Sequence, residues 1–251
     1  MNKDANNQRG VDVWRAEALR LTVFLDLTVQ VEPLADWNRL VGKPPDQRHS
    51  QPAMHQSEEV GAFGKGVLAI NGVPGRIDLH YQPVLDPATW DNKIPDLGSL
   101  PEALGEFVPL ALKWLDNSPP VLRLAFGAEI SVPAPNHEEA YRLLDSYLHT
   151  VELDTSASDF NYSINRKRPS CVGIKGLRLN RLSRWYALLR RIALKKADGV
   201  ATAAEFYSCR LDMDINTGAD FTGPLAKEKL KDIFRELVSL ASEIAEKGDV
   251  P

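Results

Sequence analysis

Residues 121–133, VLRLAFGAEISVP, alternate between two kinds of position. Every second residue from Leu122 to Val132 is apolar, and these side chains would lie on one face of an extended chain. Residues 21–33, LTVFLDLTVQVEP, repeat the pattern from Leu21 to Val31. A period of two over such a length predicts long β-strands with one buried and one wet face, which is typical of antiparallel sheets.

Shorter alternating segments predict further strands at 66–72, 76–84, 159–166 and 206–216. Apolar residues at helical spacing predict three helices: one over 101–115, one that opens at Asn136 and one that opens at Pro224. Here the helices follow groups of strands and do not alternate with single strands. This order predicts an α+β fold of antiparallel sheets with packed helices.

The order of these parts repeats along the chain. Residues 11–116 and 121–251 each contain a long strand, further strands and a closing helix, and NSPP at 117–120 is the linker. We therefore predict two α+β halves, and a duplication stays a hypothesis because the halves share no residue-level identity. Residues 1–10 are predicted to be a disordered lead. Residues 42–66 are aperiodic and contain Pro, Gln and His, so a mobile loop is predicted there.

The composition is that of an ordinary globular protein, with 43% hydrophobic residues among 251. No apolar run approaches the roughly 18 residues of a membrane span, and the N-terminus MNKDANNQRG lacks the apolar segment of a signal peptide. We expect a cytoplasmic protein that does not bind membranes. Cys171 and Cys209 have the spacing of neither a disulfide framework nor a zinc site, and both are expected to be buried apolar side chains.

The chain concentrates its cations in one segment. Residues 165–196 hold eleven Lys and Arg residues and no acid, although the whole chain has a net charge of −4. Residues 182–196, LSRWYALLRRIALKK, are predicted to form an amphipathic helix with a cationic outer face. The predicted binding surface consists of Arg166, Lys167, Arg168, Lys175, Arg178, Arg181, Arg184, Arg191 and Lys195.

Four interpretations of this segment remain open. Its cations could pair with the acidic remainder of the protein, bind the phosphates of nucleic acid or a nucleotide, bind an acidic protein or a second copy of the chain, or attach a helix to a membrane surface. Arginine suits the second and third, since its planar fork binds phosphate or carboxylate with two hydrogen bonds. Trp185 and Tyr186, if exposed, would add stacking on bases.

Carboxylates on the polar strand faces are the candidates for chemistry. Asp212 and Asp214 lie two residues apart on one predicted strand, so both point to the same face and could hold a magnesium ion. A half-exposed strand gives the same pattern without any metal. If their strands are neighbours, further polar residues could join this cluster, namely Asp26, Asp78, His80 and Glu129. No catalytic motif occurs, so no catalytic residue and no cofactor is assigned.

Three stretches carry a family resemblance: SDFNYSINR at 158–166, GLRLNRLSRW at 176–185 and LDMDIN at 211–216, followed by a long C-terminal helix. Here the chain resembles a sporadically distributed family of conserved bacterial proteins of uncharacterised function. The resemblance implies a bacterial, cytoplasmic α+β accessory protein carried in mobile or defence-related loci, and it assigns no active-site residues.

Together with the basic segment, this resemblance leads us to expect a non-enzymatic binding or adaptor protein that engages nucleic acid or an acidic protein through its second half. Self-association is a further form of the same expectation. The alternative is a metal-dependent enzyme that acts on a phosphorylated substrate, with Asp212 and Asp214 as metal ligands and the cations as a substrate clamp.

Overall fold

The structure, a computed structural model, describes residues 10–29, 37–88, 90–195 and 201–250. Its strands are β1 (Arg15–Leu25), β2 (Gln47–Gln51), β3 (Gln56–Phe63), β4 (Gly66–Val73), β5 (Arg76–Gln82), β6 (Val121–Ala134), β7 (Asn161–Asn165), β8 (Arg168–Pro169), β9 (Arg178–Lys195) and β10 (Ala201–Thr217). Its α-helices are α1 (Trp37–Val41), α2 (Leu100–Asp116), α3 (His137–Tyr147) and α4 (Leu230–Lys247). Apart from Gly10, the predicted disordered lead lies outside the described residues.

The described strands form one antiparallel sheet in the order β2–β3–β4–β5–β1–β6–β10–β9–β7, and β8 pairs with β9. β1 and β6 lie side by side at the centre, with Leu21 opposite Phe126. The prediction of an α+β fold with antiparallel strands is confirmed. The two predicted halves do not form separate sheets, because the long strand of one half pairs with the long strand of the other.

Helices α2, α3 and α4 cover one face of this sheet. Phe126 of β6 packs 6.0 Å from Phe234 of α4, and Trp185 of β9 packs 5.7 Å from Tyr147 of α3, both measured between ring centroids. The apolar row of β1 joins the same core and consists of Leu19, Leu21, Val23 and Leu25. We call the opposite face, over which no described helix lies, the uncovered face.

The helices begin where local hydrogen bonds favour a start. At α2 the Glu102 carboxylate accepts a 2.9 Å hydrogen bond from the N–H of Ser99, and at α3 the Asn136 side chain accepts one from the N–H of Glu139. These two predicted starts are confirmed within a residue. The predicted start of the last helix at Pro224 was too early, since α4 begins at Leu230 after a short 3₁₀ turn.

Residues 42–66 are not the aperiodic loop that the sequence predicts. Most of them form a β-hairpin, in which β2 pairs with β3, and β3 in turn pairs with β4. All residues of β2 are exposed because it is the edge strand, so no apolar period marks it. The buried carboxylate of Glu59 on β3 forms an ion pair with Arg48 of β2, and this pair stabilises the edge strand.

The predicted helix over 182–196 was wrong, because these residues as far as Lys195 belong to β9. β9 pairs with β10 from Leu179 to Lys195 and also pairs with β7. Arg181 and Ser183 occupy buried positions where an apolar residue is expected, and they hide the period of two. Pairing with β10 along the whole segment, and with β7 as far as Tyr186, outweighs the helical spacing of the leucines.

The first strand and the cysteines were predicted only in part. β1 starts earlier than expected, at Arg15, and ends at Leu25, so that Leu27 is 77% exposed. Cys209 is buried as predicted, whereas Cys171 is exposed. Within the part of the chain that the structure describes, no helix is long and apolar enough to cross a membrane.

Candidate ligand-binding site

A charged row crosses the middle of the uncovered face. Arg20 of β1, Gly127 of β6 and Asp214 of β10 are cross-strand neighbours. The Arg20 guanidinium passes over Gly127, and its Nη2 lies 3.3 Å from Oδ2 of Asp214. A Cβ atom at position 127 would lie 3.3 Å from both Nε and Nη2 of Arg20, so glycine leaves the room that this crossing uses.

A β-bulge shapes the next row. The register between β1 and β6 shifts between Ala16 and Ala18, so Glu17 is an extra residue on β1. Its side chain turns to the uncovered face, where Oε1 accepts a 2.5 Å hydrogen bond from the Ser131 hydroxyl. Simple alternation would point Glu17 to the helix-covered face. The bulge therefore places its buried carboxylate on the uncovered face instead.

Arg210 of β10 is the centre of an ion-pair network beside this bulge. Its side chain is 8% exposed and contacts three carboxylates: Nη1 lies 2.8 Å from Glu17, Nε lies 3.0 Å from Asp212, and Nη2 binds Glu129. Arg190 adds a second contact to Glu17 at 2.6 Å. Burial alone would lower the pKa of Arg210, but the attraction of Glu17 and Asp212 holds that pKa above its usual value.

A groove lies between these groups. It has a volume of about 250 Å³, with the small residues Ala18 and Gly127 along its floor and Arg20, Glu129 and Arg184 among its walls. A second hollow of about 420 Å³ shares Ala18, Glu129 and His80 with the first. The two hollows share these lining residues and adjoin on the uncovered face, so together they offer a ligand a groove with charged side chains along its walls.

His80 stands on the wall where the two hollows meet. It lies opposite Arg20 on β1, and burial lowers the pKa of its imidazole, with Glu129 raising it and Arg20 lowering it. This shift favours the neutral form of the ring. Among the described residues, no hydrogen-bond partner of the imidazole is found. Both ring nitrogens remain able to bind a ligand in the groove.

Arg184 of β9 is a cation of the groove without a carboxylate partner among the described residues. Its Nε donates a 3.3 Å hydrogen bond to the side chain of Asn161, and its guanidinium lies 5.2 Å from the ring centre of Tyr186. Within the described part of the chain, no carboxylate lies at ion-pair distance from it. Since its neighbours on this face are paired, Arg184 is the guanidinium most able to accept an outside anion.

The structure divides the predicted basic surface between two faces. Arg184 lines the uncovered face, whereas Arg181 lies on the helix-covered face and is 2% exposed. Several predicted cations pair with the protein's own acids: Arg166 with Asp249, Arg168 with Glu243, and Arg191 with Glu205. These cations therefore do not lie on one surface, because residues 178–195 form a strand and successive side chains alternate between faces. Whether they bind a partner stays a prediction.

The remaining predicted cations are exposed or undescribed. Lys167, Lys175 and Arg178 are exposed and have no ion pair among the described residues, while the Lys195 side chain lies outside the description. Trp185 is fully buried and Tyr186 is half-buried, its hydroxyl donating a 2.9 Å hydrogen bond to Asp212. Trp185 therefore cannot stack on a base as the sequence suggested.

Asp212 and Asp214 do share one face, as predicted, but both already have partners. Asp212 accepts hydrogen bonds from Arg210 and Tyr186, and Asp214 accepts from Arg20 and from Asn216 at 2.6 Å. A magnesium ion would have to displace these donors. Within the described residues, no group of three His, Cys, Asp or Glu side chains is placed to hold a metal ion.

Sequence reasoning found only part of the groove. It named Asp212, His80 and Glu129 as polar residues of separate strands, and the sheet brings them to one place. Asp26 lies in the turn after β1, and Asp78 accepts a 2.5 Å hydrogen bond from Thr22 one row away. Four missed residues complete the site: Glu17, Arg20, Arg190 and Arg210. The sequence signal that could have found these four residues is a charged residue within a segment of alternating apolar residues.

Comparison of the chain with protein-family models and with curated proteins gives no significant match. The resemblance to a sporadically distributed bacterial family therefore stays a prediction, and the groove is interpreted from its own geometry.

Proposed function

We propose that this protein is a non-enzymatic binding or adaptor protein, and that its groove on the uncovered face receives an acidic segment of a partner protein. The observation that carries the proposal is Arg184, an exposed guanidinium without a carboxylate among the described residues, on the wall of an open groove. Arg20 supports it as a second cation, since its ion pair to Asp214 is long at 3.3 Å and both partners are 36% exposed.

An acidic protein segment suits the groove better than nucleic acid does. Glu129, Asp212 and Asp214 line the groove together with the arginines, so positive and negative groups alternate across it. The carboxylates would repel the phosphates of a nucleic acid along the whole groove. Binding would then lose the favourable release of counterions that drives nucleic-acid binding. A peptide can place single carboxylates at Arg184 and Arg20 and offer amide groups to the acids and His80 between them.

Exchanging Arg184 for Gln tests this proposal. The probes are a fluorescent peptide that carries two glutamates separated by neutral residues, and a single-stranded DNA oligonucleotide, each titrated by anisotropy at low and moderate salt. We expect the wild type to bind the peptide, and Arg184→Gln to weaken binding about tenfold, because a charge-assisted hydrogen bond is lost. Arg191→Gln is the matched control: it removes the same charge from the same strand, but its side chain lies outside the groove and pairs with Glu205.

Equal losses of peptide affinity in the two variants would show that only the overall charge matters, and would contradict the groove as the binding site. Binding of DNA but not of peptide, with dependence on Arg184, would move the partner class to nucleic acid. A cytoplasmic, bacterial and defence-associated setting and self-association remain what the sequence leads us to expect.

We also propose that the two halves of the chain share one architecture. Read outward from β1, the sheet runs β1, β5, β4, β3, and read outward from β6 it runs β6, β10, β9, β7. α2 follows β5 as α4 follows β10. This order supports the proposal and puts the groove on the junction of the halves. Superposition of the two halves tests it, and strands that fail to align in this order would exclude it.

A further inference from the structure

Arg181 is a buried cation whose nitrogens are not satisfied. Its side chain is 1% exposed, and within the part of the chain that the structure describes Nε and Nη1 have no hydrogen-bond partner. The third nitrogen, Nη2, lies 3.7 Å from Oε2 of Glu243, which is beyond hydrogen-bond distance. Buried guanidinium groups without partners are rare because each unpaired N–H loses its hydration without replacement.

The two carboxylates near Arg181 are already used by other arginines. Asp249 accepts hydrogen bonds of 2.7 and 2.9 Å from Arg166 and further bonds from Tyr162 and Thr150. Glu243 accepts two hydrogen bonds, of 2.9 and 3.4 Å, from Arg168. Among the described residues, three arginines therefore share two carboxylates, and Arg181 has only the long ion pair to Glu243.

The pKa of Arg181 reflects the same excess of arginines over carboxylates. Burial lowers the pKa of Arg181, and the charges of Arg168 and Arg166 lower it further, whereas Glu243 and Asp249 raise it. Lys247 lies 3.7 Å from Glu243 and adds another cation at the rim. The cluster holds more positive than negative charge, which is costly at a buried position.

A small cavity lies directly beside Arg181. It has a volume of about 10 Å³ and is lined by two arginines, one carboxylate and small or apolar residues: Arg166, Arg181, Asp249, Ser183, Ile244, Gly248 and Val250. The Asp249 carboxylate is already neutralised by its two hydrogen bonds from Arg166. The cavity has about the space of one water molecule, so a chloride ion, which is somewhat larger, would have to push the lining side chains slightly apart. The Ser183 hydroxyl accepts a 3.1 Å hydrogen bond from Trp185, so its own proton is available to a ligand in the cavity.

We propose that this cavity binds a single small monovalent anion of halide size, held by Nε and Nη1 of Arg181 and by the Ser183 hydroxyl. An anion satisfies the open N–H groups as a water molecule would, and it also balances the surplus positive charge. The site is independent of the groove, because Arg181 and Arg184 lie on opposite faces of β9. Its ligand class is chloride or a similar ion, which needs no protein partner.

Thermal unfolding in sodium chloride against sodium gluconate, at constant ionic strength, tests the site. Gluconate is too large for the cavity, so we expect chloride to raise the Tm by about 3 to 6 °C at ten times its dissociation constant. Arg181→Met should abolish this chloride dependence, whereas Arg191→Met, which removes an exposed cation from the same strand, should retain it.

A crystal grown or soaked in sodium bromide gives a second readout on the wild type, which decides the matter even if Arg181→Met does not fold. We expect an anomalous peak within hydrogen-bond distance of Nε and Nη1 of Arg181. A Tm that is the same in chloride and gluconate, together with the absence of a bromide peak, would overturn the proposal and leave an ordinary water molecule in the cavity.

Discussion

Arg210→Met removes the cation at the centre of the uncovered face and leaves three carboxylates behind. Breaking a buried ion pair by removing one partner costs about 3–5 kcal/mol. The cost here should fall at the lower end, because Glu17 keeps its 2.6 Å contact to Arg190 and Glu129 is 52% exposed. We expect a loss of about 3 kcal/mol in the free energy of unfolding, or about 6–12 °C in Tm for a chain of this length.

Urea unfolding followed by circular dichroism at pH 7 measures this loss, with Arg191→Met as control. The Arg191–Glu205 pair is exposed on both sides, 74% and 53%, so its removal should change the stability by less than about 0.5 kcal/mol. A second change, Glu17→Gln, should cost less in the Arg210→Met background than alone, because the repulsion between carboxylates is then relieved. Arg210→Met with a loss below about 1 kcal/mol at an unchanged m-value would refute the network as a source of stability.

Two further predictions concern the last turn of the chain. Burial alone would raise the pKa of Asp249, but hydrogen bonds from Arg166, Tyr162 and Thr150 hold it below 3.8, so its contribution to stability is present above that pH and is lost as the pH falls through the folded value. Urea unfolding at pH 7 and near pH 3 should therefore show a steeper loss for wild type than for Asp249→Asn, and parallel losses would contradict the assignment. Gly248→Ala should destabilise more than Gly173→Ala: both glycines have φ near +80°, but only at 248 would the new Cβ meet a backbone oxygen, that of Tyr147. Thermal melts of the two variants check this, and equal Tm losses would show that the clash is relieved without cost.

Alternation was enough to predict the sheet wherever one face of a strand is buried under a helix. Residues 121–133 were read correctly for this reason, since their apolar row packs on α4, and residues 76–84 were read correctly as far as Gln82, since Tyr81 packs on Phe107 of α2. Alternation of apolar and polar residues is lost in a strand that is exposed on both faces and in a strand that buries polar residues. β2 is exposed on both faces and shows no period, whereas β9 carries Arg181 and Ser183 among its buried residues.

The site was less predictable because it depends on which strands are neighbours. The sequence separates Arg20 from Asp214 by almost the whole chain, and only the pairing of β1 with β6 and of β6 with β10 brings them together. The bulge at Glu17 is a change of register, which a single sequence does not reveal. Charge clustering along residues 165–196 suggested one surface, but a strand sends neighbouring cations in opposite directions.

The central position of β1 has a consequence for the synthesis of the chain. Leu21 meets its first partner at Leu79 on β5, and its second at Phe126, 105 positions further along. At about 5–20 residues per second, the ribosome needs about 5 to 20 s to supply that second neighbour. Until Leu79 is made β1 has no partner, and from then until Phe126 is made it has only one edge protected, so the nascent chain exposes an unpaired strand edge that favours aggregation. We therefore expect recovery of native protein from cells to depend on holding chaperones and on translation rate more than its folded stability would suggest.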